Sequence, residues 1–171
     1  MTIQHVLIRD EQAVDIAVIS EVTIAAFAAM EISNQTEQFI IVALRAKNAL
    51  AISLVAEVDG RVVGHIAFSP VTMPDGTQNW YGLGPVSVHP GFQRQGLGKA
   101  LIHEGLSRLK KLNAQGCCLV GHPQYYRQFG FKNVEELALE GVPKEVFFVL
   151  PFDGHIPIGN VIFHTAFQAN S

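Results

Sequence analysis

The residues from Val86 to Gly98, Val-Ser-Val-His-Pro-Gly-Phe-Gln-Arg-Gln-Gly-Leu-Gly, hold the clearest chemistry in the chain. Val86 and Val88 alternate as strand residues do, and Pro90-Gly91 closes the strand. Leu97, Leu101, Ile102, Leu106, Leu109 and Leu112 then repeat at helical spacing. A strand therefore runs through a glycine loop into a helix, where unpaired N–H groups and the positive end of the helix dipole converge. That arrangement suits a phosphate or pyrophosphate. Gly96 and Gly98 remove side chains where a bulky ligand must come close to the backbone.

The loop is neither of the two common nucleotide loops. Ala100 follows Lys99 where a Walker loop needs a hydroxyl for magnesium, and Leu101 stands where a dinucleotide fingerprint needs its third glycine. A second segment, Gly121-His-Pro-Gln-Tyr-Tyr-Arg-Gln-Phe-Gly-Phe131, follows a short apolar strand at Cys117–Val120. Tyr125 and Tyr126 there can pack or can donate a proton.

Gln93-Arg94-Gln95-Gly96-Leu97-Gly98 after Val-x-Val-x-Pro, with Tyr126-x-x-x-Gly130-Phe131 downstream, resembles the acetyl-CoA motif of the GCN5-related N-acetyltransferases (GNAT). The two motifs occur in the family's order and cover about residues 79–131. Leu-Gly-Pro-Val-Ser-Val-His-Pro and the late Gly-x-Val-x-Phe-His-x-Ala-Phe are similar to the YhbS-like branch. The resemblance implies an acetyl-CoA-dependent N-acetyltransferase moving an acetyl group to an amine by direct attack in a ternary complex. It implies that Val86, Ser87, Val88, Gln93, Arg94, Gln95, Gly96, Leu97, Gly98, Lys99 and Tyr125 hold the acetyl-CoA. Tyr126 matches the tyrosine that protonates the departing thiolate. A non-catalytic acyl-CoA-binding or sensor module of the same fold is the alternative, since it would keep the cradle.

Attack by an amine also requires a base. Some family members carry a glutamate on the strand before the loop, but Trp80–Val88 has no Asp or Glu. A water relay, His122 or Glu31 is left for the role. His122 has a suitable ordinary pKa, near 6.5, yet it also stands before Pro123 as a plain turn residue. His89 packs beside the loop, caps it or touches the cofactor.

Positioning these groups takes a particular order of elements. A strand at Ile3–Arg9 precedes a helix from about Glu11 to Ala29, capped by Asp10, with Val14, Ala17, Val18, Val22, Ala25 and Ala26 as its apolar stripe. A second helix spans about 36–48. Apolar strands at Ala51–Val58 and Arg61–Val71 meet at Asp59-Gly60, a hairpin signal. Pro74-Asp75-Gly76 turns the chain into Trp80–Val88, whose Gly82, Gly84 and Pro85 predict a bulge or splay. Late strands are expected at Val146–Leu150 and Asn160–Phe167, forming a C-terminal hairpin at about 145–168. The terminal strand must pair with the sheet or with a second copy of the chain, which allows a homodimer.

This is the element order of the GNAT fold, and the resemblance implies the fold class α/β (α+β): a mostly antiparallel mixed sheet, splayed between its fourth and fifth strands and flanked by helices. A length of 171 residues fits a single domain over 1–171. With 49% apolar and 16% charged residues, a net charge of −3 and no basic block longer than Lys110-Lys111, a nucleic-acid partner is not expected. No apolar run reaches membrane-spanning length and the first residues do not resemble a secretory signal, so the expected location is cytoplasmic. Cys117 and Cys118 are strand neighbours facing opposite ways and are expected to be free thiols. The seven histidines show no metal-ligand spacing, and no metal is expected.

Overall fold

The computed structural model describes residues 5–171. Strand β1 (Val6–Asp10) leads through a single 3-10 turn into helix α1 (Ile16–Phe27), followed by helix α2 (Glu37–Ala46). The antiparallel strands β2 (Ile52–Val58), β3 (Arg61–Pro70) and β4 (Trp80–Val88) come next, then helix α3 (Leu97–Lys111) and strand β5 (Gly116–Val120). Short α4 (Pro123–Tyr126), β6 (Leu137–Ala138), β7 (Phe147–Pro151) and β8 (Gly159–Asn160) complete the chain. The main sheet has the order β1-β2-β3-β4-β5-β7. All its neighbours are antiparallel except β4 and β5.

Several local expectations need correction. Asp10 is the last residue of β1 and caps no helix, and Ile3 lies outside the described residues. Asp15 instead accepts the N–H of Gln12 at 2.7 Å while Arg9 grips its carboxylate at 2.7 and 3.0 Å. The helix thus begins later because a strand residue recruits its first acid. The buried face of α1 is Ile19, Val22 and Thr23, whereas Val14 is 82% exposed. Leu112 falls beyond α3 and faces solvent.

The expected C-terminal hairpin does not form. β7 pairs with β5, β8 pairs with β6 in parallel, and Thr165–Gln168 is a 3-10 turn. Nδ1 of His164 accepts the Ala166 N–H at 3.0 Å and so caps that turn. Ala166 packs with Ile40, Leu44 and Ala49 under α2. This stretch therefore offers no bare strand to a second copy, and that argument for a dimer lapses.

One core lies between the sheet and α3. Leu54, Ile66, Phe68, Leu101, Ile102, Leu109 and Phe148 fill it with at most 1% exposure. Ile19 and Ile41, from α1 and α2, pack with Val55 and Val62 on the opposite face. Cys117 joins the α3-side core and Cys118 the second cluster around Trp80 and Val149, so the adjacent thiols are free and buried on opposite faces.

The splay is real and local. β4 pairs with β5 only at Trp80–Gly82, matching Gly116–Cys118. Beyond that point β4 continues to Val88 beside β3 alone. A register irregularity between Ile66 and Phe68 marks where β4 bends, opposite the Gly84-Pro85 stretch. The outer edge of Leu83–Val88 is thereby freed along one wall of a cleft.

Candidate active site

Sequence and packing assemble the cleft from four helices and strands and one loop. The free part of β4 supplies Val86, Ser87 and Val88, and the loop supplies Phe92, Gln93, Arg94 and Gly96. Leu97, Gly98 and Lys99 open α3, and Tyr125 leans in from α4. The far wall is Ala26, Phe27 and Met30 at the end of α1. The cavity measures about 570 Å³.

Each part of the loop has a physical cause. Nδ1 of His89 accepts the Gly91 N–H at 3.1 Å, which caps the 3-10 turn at Pro90–Phe92. Gln93 Nε2 donates to the Val88 carbonyl at 2.9 Å, tying the loop to its strand. Arg94 and Gly96 both take positive φ, 63° and 84°, and so reverse the chain before α3. At Gly96 this backbone region favours glycine. Gly96 is the N-cap of α3 and no side chain caps that helix. Its first-turn N–H groups are therefore left for a ligand. Arg94 and Lys99 are the charged residues that line the cleft, so an anion meets no opposing carboxylate there.

Of the residues expected to hold the cofactor, all but Gln95 line this one cleft. His122 does not. It is exposed and caps α4, with Nδ1 accepting the Gln124 N–H at 3.2 Å. Glu31 is exposed in the turn beyond α1. Tyr125 lines the cleft with its hydroxyl oxygen 3.2 Å from where a Cβ on Gly98 would stand. Tyr126 sits behind it, with ring centroids 5.0 Å apart, 8% exposed and packed against Phe129, Phe131, Phe148 and Gly121. Burial, helped by Tyr125 and Cys117, pushes the Tyr126 hydroxyl up to about 12. It is thus a protonated donor at neutral pH.

The α1 wall was not legible in advance. Ala26, Phe27 and Met30 carry no motif, and only tertiary packing brings them opposite β4. Ser87 was expected among the residues that hold the cofactor, and its side chain also reaches the α1 wall. Alternation turns it away from Val86 and toward α1, where its Oγ lies 3.5 Å from Thr23 Oγ1.

The model of the acetyltransferase (GNAT) domain matches residues 49–133. A GNAT family acetyltransferase from Brucella melitensis, solved in complex with acetyl-CoA, is 48% identical with a TM-score of 0.86, and the match covers 95% of this chain and 98% of that one. The chain belongs to the GNAT family. YhbS from Escherichia coli, solved in complex with CoA, superposes with a TM-score of 0.85 at 28% identity, over 100% of this chain and 96% of that one. By sequence, the uncharacterized N-acetyltransferase YhbS of Escherichia coli strain K12 is 37% identical over 90 residues. That aligned stretch is 52% of this chain and spans about half, 54%, of YhbS. The uncharacterized N-acetyltransferase YjhQ of the same strain is 34% identical over 84 residues, 48% of this chain and 46% of YjhQ. The GNAT fold accounts for the mixed sheet, with its parallel β4–β5 pair opening into the cleft.

Among the described residues, no helix is long and apolar enough to cross a membrane.

Proposed function

We propose that this GNAT protein is an acetyl-CoA-dependent N-acetyltransferase that transfers acetyl to an amine within a ternary complex. The observation that carries the reading is the cleft between the free edge of β4 and the uncapped start of α3. Loop N–H groups, Arg94 and Lys99 suit a pyrophosphate, and the unpaired edge at Val86–Val88 suits the amides of a pantetheine arm as a neighbouring strand would. Relatives similar over their whole length were solved with acetyl-CoA and with CoA, and both ligands fit that chemistry.

Acetyl-CoA supplies an activated thioester, and the chain's own groups do the rest. The cleft aligns donor and acceptor, which converts a bimolecular step into an effectively unimolecular one. A tyrosine hydroxyl protonates the departing thiolate, a role that the motif spacing assigns to Tyr126, which stands directly behind the cleft-lining Tyr125. Tyr125, at the cleft surface, binds the donor and shields Tyr126 from solvent. The two free, buried cysteines fit a reducing, cytoplasmic setting.

Calorimetric titration with CoA tests the cleft assignment. Wild-type protein binds, and a folded Gly96→Val variant binds at least tenfold more weakly, because valine at a φ of 84° is strained and shifts the loop N–H groups. Equal affinity for CoA in the two proteins would remove the site from this loop.

A further inference from the structure

The cleft has two chemically different sides. Arg94, Lys99 and Tyr125 stand on the loop, α3 and α4, the side that the proposed function gives to the donor's phosphates and thioester. The opposite wall, at the end of α1, consists of Ala26, Phe27 and Met30 and brings no hydroxyl, amide or charged side chain. Among the described residues, no carboxylate lines any part of the cleft.

Helix α1 crosses the sheet to make this wall. Ile19 packs with Val55 of β2 and Val62 of β3, and one turn later Thr23 Oγ1 lies 3.5 Å from Ser87 Oγ of β4. Ala26, Phe27 and Met30 continue the side of the helix that Thr23 begins, so they arrive opposite the freed edge of β4. The turn that follows is tied down. The Phe27 carbonyl accepts the Met30 N–H at 3.1 Å and Gln35 Nε2 at 2.7 Å. The acids of this segment stay out of the cleft: both oxygens of Glu37 lie 2.8 Å from Ser33 Oγ, and Glu31 is exposed and is not among the lining residues.

An amine that reaches the thioester has to be held by the surface that the donor leaves free. Phe27 and Met30 can hold it only by burying apolar area, and the thioether of Met30 adapts to rings and chains of different shape. A second ammonium, or the hydroxyls of a sugar, would lose water against this wall with no partner in return. We propose that the acceptor is a monoamine whose apolar body, an aromatic ring or a branched alkyl chain, packs on Phe27 and Met30. This inference rests on the N-acetyltransferase reading and names the acceptor class for it. The transfer joins the amine nitrogen to the acyl carbon as an amide, breaks the C–S bond with its electron pair on sulfur, and moves one proton net from nitrogen to sulfur. Met30 sets acceptor specificity, and at 44% exposure it can be exchanged without opening the core.

Amine-dependent CoA release is measured at saturating acetyl-CoA with a panel of phenethylamine, isoamylamine, spermidine and glucosamine. The kcat/KM for phenethylamine and isoamylamine exceeds that for spermidine and glucosamine by about tenfold or more. Met30→Glu, which puts a carboxylate on the wall, removes that preference by weakening the apolar amines and favouring spermidine, while the KM for acetyl-CoA is unchanged. Met30→Leu keeps the wild-type order. A wild type that prefers spermidine or glucosamine overturns the proposal. So does a Met30→Glu variant that weakens acetyl-CoA and leaves the order of amines as it was, since the wall would then serve the donor. Saturation-transfer NMR of phenethylamine with the CoA-loaded wild type reads binding apart from turnover. Phenethylamine bound there with no acetylation of any amine ends the transferase reading and leaves the apolar amine site standing, whereas phenethylamine that does not bind overturns the site even where another amine is acetylated.

Discussion

Tyr125 and Tyr126 show how much one residue's surroundings decide. Sequence spacing assigns the thiolate's acid to Tyr126, and the structure puts Tyr125 on the cleft surface with Tyr126 buried behind it. Tyr126→Phe should lower kcat by about 10²-fold with acetyl-CoA affinity retained, while Tyr125→Phe should weaken binding more than turnover. Steady-state kinetics of the two variants checks this, and the reverse pattern would exchange their roles. His65 carries a second prediction at this scale. Burial lowers its pKa from 6.5 to about 4, so between those values the unfolded chain binds a proton that the folded one does not. Stability therefore falls as pH drops from about 6.5 to about 4, by about 3 kcal/mol in all. Denaturant titrations across that window should show the slope, and His65→Gln should flatten it. A wild type with unchanged stability from pH 7 to 4 would mean that His65 is not buried neutral.

At the scale of elements, legibility followed locality. Asp59 and Gly60 take positive φ, 50° and 82°, as the hairpin signal requires, and β4 has the limits read from its sequence. The glycine loop and α3 were equally legible, since turn residues and helical spacing are local. The start of α1 was not, because Arg9 on β1 reaches across to Asp15. Neither was the 3-10 turn at Thr165–Gln168, where an apolar run reads as a strand until packing beneath α2 and the His164 cap decide otherwise. The pairing of β5 with β7 spans a long stretch of chain and leaves no periodic trace. Helix α3 is pressed onto the sheet at Gly105, where an added Cβ would stand 2.2 Å from the Phe68 ring. Gly105→Ala should thus cost about 1–3 kcal/mol in thermal or denaturant unfolding, although alanine is the better helix former. A stabilised variant would contradict this account of how α3 seats.

For the whole molecule, the opening of the sheet is the feature that links fold to function. Two strands that pair for three residues and then part give a protein-lined slot without a break in the core, because α3 and α4 close one face and α1 the other. A ligand filling that slot touches the end of α1, the free part of β4, the start of α3 and Tyr125 of α4 at once. Acetyl-CoA at a hundredfold excess over its Kd should add about 2.7 kcal/mol and raise Tm by about 5–10 °C. An unchanged Tm under those conditions would argue against binding to the folded state. The central claim is transfer as well as binding, and amine-dependent release of free CoA thiol from acetyl-CoA measures it most directly, with the acetylated amine identified by mass spectrometry. The account predicts thiol release that saturates in both substrates, rises with pH as free amine accumulates, and matches the acetylated amine one for one. Tight acetyl-CoA binding with no acetylated product from any amine of the panel would contradict it and leave a sensor in place of an enzyme.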